Sequence, residues 1–274
     1  MKIDAHQHFW NYHPEKQAWI TASMQEIRTD FLPASLLPIL KQHNFDGSIA
    51  VQADQSVEET KFLIDLAEQH SWIKAVIGWV DLLADDLEEQ LSYWKQFSIL
   101  KGFRHILQAE EPGFMLTEEF IRGITALEKF GYCYEILIYP KHLSAVLELV
   151  QQFPNMRFVM DHIAKPNIKE TQIAEWKDGL MQLGLHKNLY CKISGMVTEA
   201  DWKNWIQSDF EPYLTIVKEA FGIERLIYGS DWPVCLLAAD YAAQLNIYET
   251  YFQQYTDQEK ALIFGGNAWK FYQI

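Results

Sequence analysis

Eight short runs rich in Val, Ile and aromatic residues are spaced along the chain with helical segments between them, and no other feature limits the fold as sharply. The runs are Ile3–His8, Ser48–Ala53, Ala75–Asp81, Gly102–Ile106, Tyr132–Tyr139, Arg157–Ile163, Leu189–Ser194 and Arg225–Asp231. Between most of them apolar residues recur at helical spacing, among them in Leu36–Gln42, Glu58–Gln69, Asp86–Gln96, Thr117–Phe130, Lys141–Phe153, Glu211–Phe221 and Asp257–Phe264. Thr117 stands where an N-cap belongs, Glu118 and Glu119 follow in the first turn, Gly131 stands where that helix ends, and Pro140 precedes the next one. A β-then-α order makes consecutive strands parallel, and runs such as 135–138, apolar but for Glu135, fit strands covered on both faces. Eight such units in 274 residues predict an α/β fold, a single (β/α)8 TIM barrel, with an open doubly wound sheet as the alternative. No repeat, low-complexity tract or Pro/Gly/Ser linker divides residues 1–274, so one barrel domain is expected.

Composition narrows the functional classes. Hydrophobic residues make up 49% of the chain and aromatics 14%, enough to build a large core. With 23 basic against 37 acidic residues the net charge is −14, which opposes nucleic acid and anionic lipid as partners. Apolar stretches such as Val234–Ala239 fall far short of the ~18 residues of a membrane span, and no signal-peptide pattern precedes Ile3, so a cytoplasmic protein is expected. Cys133, Cys191 and Cys235 are odd in number, lack CxxC spacing and sit in apolar stretches, where they read as small buried hydrophobes.

Candidate site residues gather where a parallel barrel builds its site, at the C-terminal ends of the strands. The first run contains Asp4, His6 and His8, which strict alternation puts on one face, with Ile3, Ala5 and Gln7 on the other. Run four carries Arg104 and His105, run six ends in Asp161-His162 with Lys165 just beyond, run seven carries Lys192, and run eight ends Gly229-Ser230-Asp231-Trp232. Each has a bland reading. Asp231 could be a turn or cap residue, Glu135 the partner of a neighbouring cation, and most of the ten Trp core residues. Arg104 and Lys192 lie in apolar runs, where a charge needs an anionic partner or a polar cavity. GxSxG, Walker A, HExxH and a GxGxxG after a strand are all absent, which removes the corresponding hydrolase, NTPase, zincin and Rossmann readings.

The stretches IDAHQHFW (3–10), DFLP (30–33), VQAD (51–54), GWVDL (78–82), KGFRHILQ (101–108), MDHIAKP (160–166), YCKISGMVTEADW (190–202), YGSDWPVCLLAADY (228–241) and FGGNAWKFY (264–272) together resemble the amidohydrolase superfamily, in its sugar-lactonase branch. The resemblance implies a (β/α)8 barrel that opens a small-molecule sugar lactone to an aldonic acid. His6, His8 and Asp231 then stand as metal ligands, Asp231 and His162 as proton carriers, Arg104 as the group that holds the oxyanion, and Lys165, His105, Lys192 and Trp232 as substrate contacts. Many metal-dependent members add a Lys or Glu on strand four and a His on strand five. Here those places read Arg104-His105 and Ile138-Tyr139-Pro140. At most one divalent ion is therefore expected, Zn²⁺ by ligand type, and a lactone is reactive enough that the ion need not be essential. The alternatives are a metal-dependent decarboxylase or amidase on the same scaffold, and a non-catalytic sugar-acid binding protein. Assembly into a homo-oligomer is left open.

Overall fold

The computed structural model describes residues 1–274 and contains one eight-stranded parallel sheet, in the order of the chain. Its strands are β1 (Ile3–Gln7), β2 (Gly47–Val51), β3 (Ile73–Gly78), β4 (Leu100–His105), β5 (Cys133–Ile136), β6 (Phe158–Met160), β7 (Leu189–Ile193) and β8 (Leu226–Tyr228). The sheet closes through the residues after β8: Asp231 N donates to His6 O at 2.8 Å and His8 N to Trp232 O at 2.7 Å. Gly229 permits that closure, since a Cβ there would lie 2.5 Å from the Cβ of His6. The result is the expected (β/α)8 barrel.

The helices on the outside start and stop where local chemistry says they should. Ser56, Thr117 and Asp240 cap helices Val57–Gln69, Glu118–Phe130 and Tyr241–Tyr251 by accepting a first-turn N–H, and Gly131 ends the second at φ +73°. The helices Ala174–Leu183 and Tyr241–Tyr251, and the short Met196–Glu199 and Asn267–Tyr272, were not among the segments singled out by spacing; the apolar residues of Tyr241–Tyr251 are spread around its axis. None of the helices is long and apolar enough to cross a membrane.

Two features of the barrel set up the site. The strands are shorter than the apolar runs, so His8, Asp161, His162 and Asp231 all lie past the ends of their strands. The second is a bulge in β1: Asp4 pairs with Ser48 but Gln7 with Ala50, three residues opposing two. Strict alternation therefore fails. Ile3 and Ala5 join the apolar cluster inside the barrel, His6 and His8 also point inward, and Asp4 points outward, where it accepts from Ser230 N at 2.8 Å and Tyr241 Oη at 3.0 Å. The expectation that Asp4 shares a face with the two histidines is corrected by that one extra residue.

The interior cluster of Ile3, Ala5, Ile49, Val51, Ala75, Ile77, Cys133, Val159 and Ile227 is plugged by Ala268, Phe271 and Tyr272 of the C-terminal helix Asn267–Tyr272. All three cysteines are buried and unpaired by disulfides.

Candidate active site

Beyond the apolar plug the barrel interior turns charged. Lys192 Nζ, fully buried on β7, lies 2.6 Å from Glu135 Oε2, 3.2 Å from Asp161 Oδ1 and 3.1 Å from His6 Nδ1. Tyr272 donates its hydroxyl to the other oxygen of Glu135, so the C-terminal helix closes this layer from below. On β4, Arg104 engages all five of its N–H groups with protein. Nη1 meets Asp161 Oδ2 at 2.9 Å and His6 Nε2 at 3.3 Å, Nη2 meets Gln52 Oε1 at 3.0 Å and the Gln52 carbonyl, and Nε meets Gln52 Oε1 at 3.3 Å. The cations win over burial at Asp161: Lys192 and Arg104, with a hydrogen bond from His6, hold its carboxyl well below the usual range. Burial, with Lys192 beside it, keeps His6 neutral far below its ordinary pKa.

Above that layer three histidines surround one carboxylate. Asp231 Oδ1 lies 3.3 Å from His8 Nε2, 3.8 Å from His6 Nε2 and 3.9 Å from His162 Nε2. Burial alone would raise the Asp231 pKa; His162, His8 and Lys165 outweigh it and lower it, so the group is a carboxylate at neutral pH. His162 is held neutral by burial and shares a hydrogen bond with Ser194 Oγ at 2.9 Å. Gly195 makes room for this grouping: a Cβ there would lie 2.5 Å from His162 Nδ1 and 3.2 Å from Asp231 Oδ2, and its φ of +61° suits glycine.

These groups open onto a cavity of about 130 Å³ lined by His8, Trp19, Ala53, Arg104, Ile106, Gln108, Leu137, His162, Lys165, Asp231 and Val234. It lies at the C-terminal ends of the strands, where a barrel of this type carries its chemistry. Lys165 reaches it from the turn after β6 with its ammonium 2.7 Å from Glu199; burial opposes its charge, but Glu199 and Asp231 raise its pKa.

The structure brings together His6, His8, His162, Asp231, Arg104 and Lys165. It does not bring the other three to the cavity. Lys192 lies beneath it in the charged layer. His105 points away toward Glu110 and stacks on Phe114. Trp232 is buried against Phe9 and Phe31. Nor is Arg104 left with a donor for a bound ligand. The aromatic wall is Trp19, half-exposed on the loop after β1, which sequence reasoning passed over because that loop carries no motif. Gln52, Glu199 and Ser194 were also missed. They touch the charged residues rather than the cavity, and pairing of that kind leaves no mark in local sequence.

Glu59 sets the loop after β2. In the first turn of its helix it accepts from Ala53 N at 2.9 Å and from Asp54 N, and burial raises its pKa from 4.5 to about 8. Between those values the folded protein keeps a proton that the unfolded chain has released, so stability falls as pH rises from about 4.5 to about 8. Asp4, raised to about 6, and Glu135, raised to about 7, act in the same direction. Urea midpoints measured at pH 5 and pH 8 are expected to drop for the native chain and to drop less for Glu59→Gln. An equal drop in both would show that Glu59 does not titrate in this range.

Three donor atoms converge as a metal would require. His8 Nδ1 donates to Val51 O at 2.7 Å, which turns its Nε2 toward His6 Nε2 at 3.2 Å, with Asp231 Oδ1 beside both; an ion there would take the place of Arg104 Nη1 at His6 Nε2. A second trio, His6, Asp161 and His162, is also close, but Asp161 is consumed by Arg104 and Lys192. The residues thus fit one ion and not two.

Residues 3–274 match the family model described as amidohydrolase. The chain is 36% identical to the L-fucono-1,5-lactonase of Burkholderia multivorans, over all of this chain and 96% of that protein, and 34% identical to that of Burkholderia ambifaria, at the same coverage. A crystal structure of an amidohydrolase from Burkholderia multivorans with bound Zn superposes with a TM-score of 0.97 at 36% identity, covering all of this chain and 99% of that one. The motifs, the closed barrel, the cluster at its mouth and these likenesses agree: the chain belongs to the amidohydrolase family of enzymes.

Proposed function

We propose that the protein is a lactonase that hydrolyses a sugar lactone to the aldonic acid, with water attacking the lactone carbonyl and Asp231 taking its proton. The observation that carries this reading is a buried carboxylate held in its charged form and ringed by three imidazoles, at the wall of a cavity about 130 Å³ in volume. A base must be ionised and within reach of water, and Asp231 is both. The names of the two Burkholderia relatives support a sugar lactone as the substrate class.

Lys165 replaces Arg104 as the group assigned to the oxyanion. Its ammonium has hydrogens beyond the one given to Glu199 and the residue lines the cavity, whereas the Arg104 guanidinium is turned to Asp161, Gln52 and His6. Asp231, now protonated, gives that proton to the ring oxygen as the ester bond breaks, with His162, fixed through Ser194, beside it as the neighbouring imidazole. Arg104 and Lys192 hold His6 and Asp161 in place. Lys165→Met is expected to lower kcat and kcat/KM together by roughly 10²-fold, the scale of one lost oxyanion donor. A rise in KM with kcat unchanged would assign Lys165 to ground-state binding instead.

His6, His8 and Asp231 would hold a divalent ion, and Zn²⁺ suits two imidazoles and a carboxylate. When bound it would polarise the carbonyl or acidify the attacking water. Elemental analysis of metal-replete protein is expected to find no more than about one tightly held ion per chain; two would refute the ligand count. The reading as a whole is tested by a pH-indicator screen of purified protein against sugar lactones, with and without chelator, because each turnover releases one proton at neutral pH. Proton release with at least one lactone is expected, and none with any of them would sink it.

A further inference from the structure

His162 and Lys165 reach the same cavity by an unusual piece of backbone. His162, Ile163, Ala164 and Lys165 have φ of +51°, +48°, +62° and +48°, four consecutive non-glycine residues in the left-handed region. Each such residue is disfavoured by roughly 5-fold to 30-fold, and β-branched Ile163 is among the worst suited. A run of four persists only where its surroundings over-determine it. Here one turn of left-handed helix is closed by Lys165 N donating to His162 O at 2.8 Å, and it sets residues three apart on one side. Both then line the cavity wall, while Ile163 and Ala164 are fully buried. A strand continued past Met160 would have turned successive side chains to opposite faces.

Beside core packing and the Ser194 bond to His162, two residues hold it by polar contacts. Trp176, buried in helix Ala174–Leu183 and absent from the cavity wall, donates Nε1 to Ile163 O at 2.7 Å. Glu199, after β7, takes Lys165 Nζ at 2.7 Å through its side chain and Lys169 N at 3.0 Å through its carbonyl. Pro166 bars right-handed helix at Lys165. We infer that Trp176 and Glu199 are positioning residues: they hold a strained left-handed turn that presents His162 and Lys165 together to the substrate. This rests on the lactonase reading for what the two residues do, but not for how they are held.

The test sets the clamp against the strain. Trp176→Phe keeps an aromatic ring against Tyr213 but removes the N–H, along with the buried five-membered ring that carries it. It is expected to lower kcat about 5-fold, the equivalent of one net hydrogen bond, with KM within about 2-fold. Ala164→Gly lets that position adopt positive φ without steric cost, so in the Trp176→Phe background it is expected to restore at least half of the lost kcat. A merely structural Trp176 would lower the melting temperature with kcat intact at 25 °C, and either that result or a failure of Ala164→Gly to rescue would overturn the inference. The ¹⁵N signals of the His162 ring provide a readout that needs no turnover: they should shift in Trp176→Phe and return in the double variant. If the native enzyme opens no lactone, the functional reading falls, while unchanged His162 signals would overturn the positioning role independently.

Discussion

Replacing Asp231 with Asn is expected to lower kcat by ~10²-fold or more while leaving the fold intact, because the substitution keeps the shape but removes the general base and, with it, the one carboxylate that would hold an ion beside His6 and His8. The backbone tolerates it. Asp231 has φ +57°, and Asn is one of the few residues that enter the left-handed region readily, so no strain is added. Packing is conserved, since the amide has the shape of the carboxylate. What is lost is the negative charge that three imidazoles surround at 3.3, 3.8 and 3.9 Å. Steady-state kinetics on any lactone turned over by the native enzyme, together with a melting curve, decides the matter. Near-normal kcat would make Asp231 the turn residue that Gly229, Ser230 and Pro233 around it equally suggest. A kcat that is measurable in the native chain and collapses in this variant would also dispose of a non-catalytic binding protein, which needs no base and whose ligand affinity should be nearly untouched by the change.

The largest stability effect is expected at Lys192, although it touches no ligand. Its ammonium is fully buried between Glu135 and Asp161, and Lys192→Met would leave those carboxylates facing a thioether. Breaking a buried ion pair from one side costs about 3–5 kcal/mol, since the remaining charge keeps its desolvation penalty and loses its compensation. For a chain of this size that corresponds to a fall in Tm of roughly 10 °C. The double variant Lys192→Met/Glu135→Gln replaces the carboxyl that Lys192 had compensated by an uncharged amide and should recover part of the loss, because the two sites are in contact and their effects do not add. If Lys192→Met alone costs less than about 1 kcal/mol, the layer is not held by charge pairing. Arg104 cannot substitute for Lys192, since Asp161, His6 and Gln52 already occupy it.

The barrel was legible in the sequence because its signals are local. Strand and helix periodicities, the Thr117 cap and the Gly131 stop each depend on a few neighbouring residues, and eight repeats of the unit leave little choice of architecture. His6, His8, His162, Lys165 and Asp231 could be found for the same reason: each sits at the end of a strand-like run, and parallel strands deliver their ends to one rim. What alternation could not foresee was the bulge in β1, where one residue too many turns Asp4 outward and keeps both histidines inward. Nor does sequence disclose which of several charges at that rim face solvent, ligand or one another. Arg104, Lys192 and His105 read alike along the chain, and only the tertiary fold assigns the first two to Asp161 and the third to Glu110. That choice depends on partners tens of residues away, because the energy of a buried charge is set by whatever lies within a few ångströms in space, not by its neighbours in sequence.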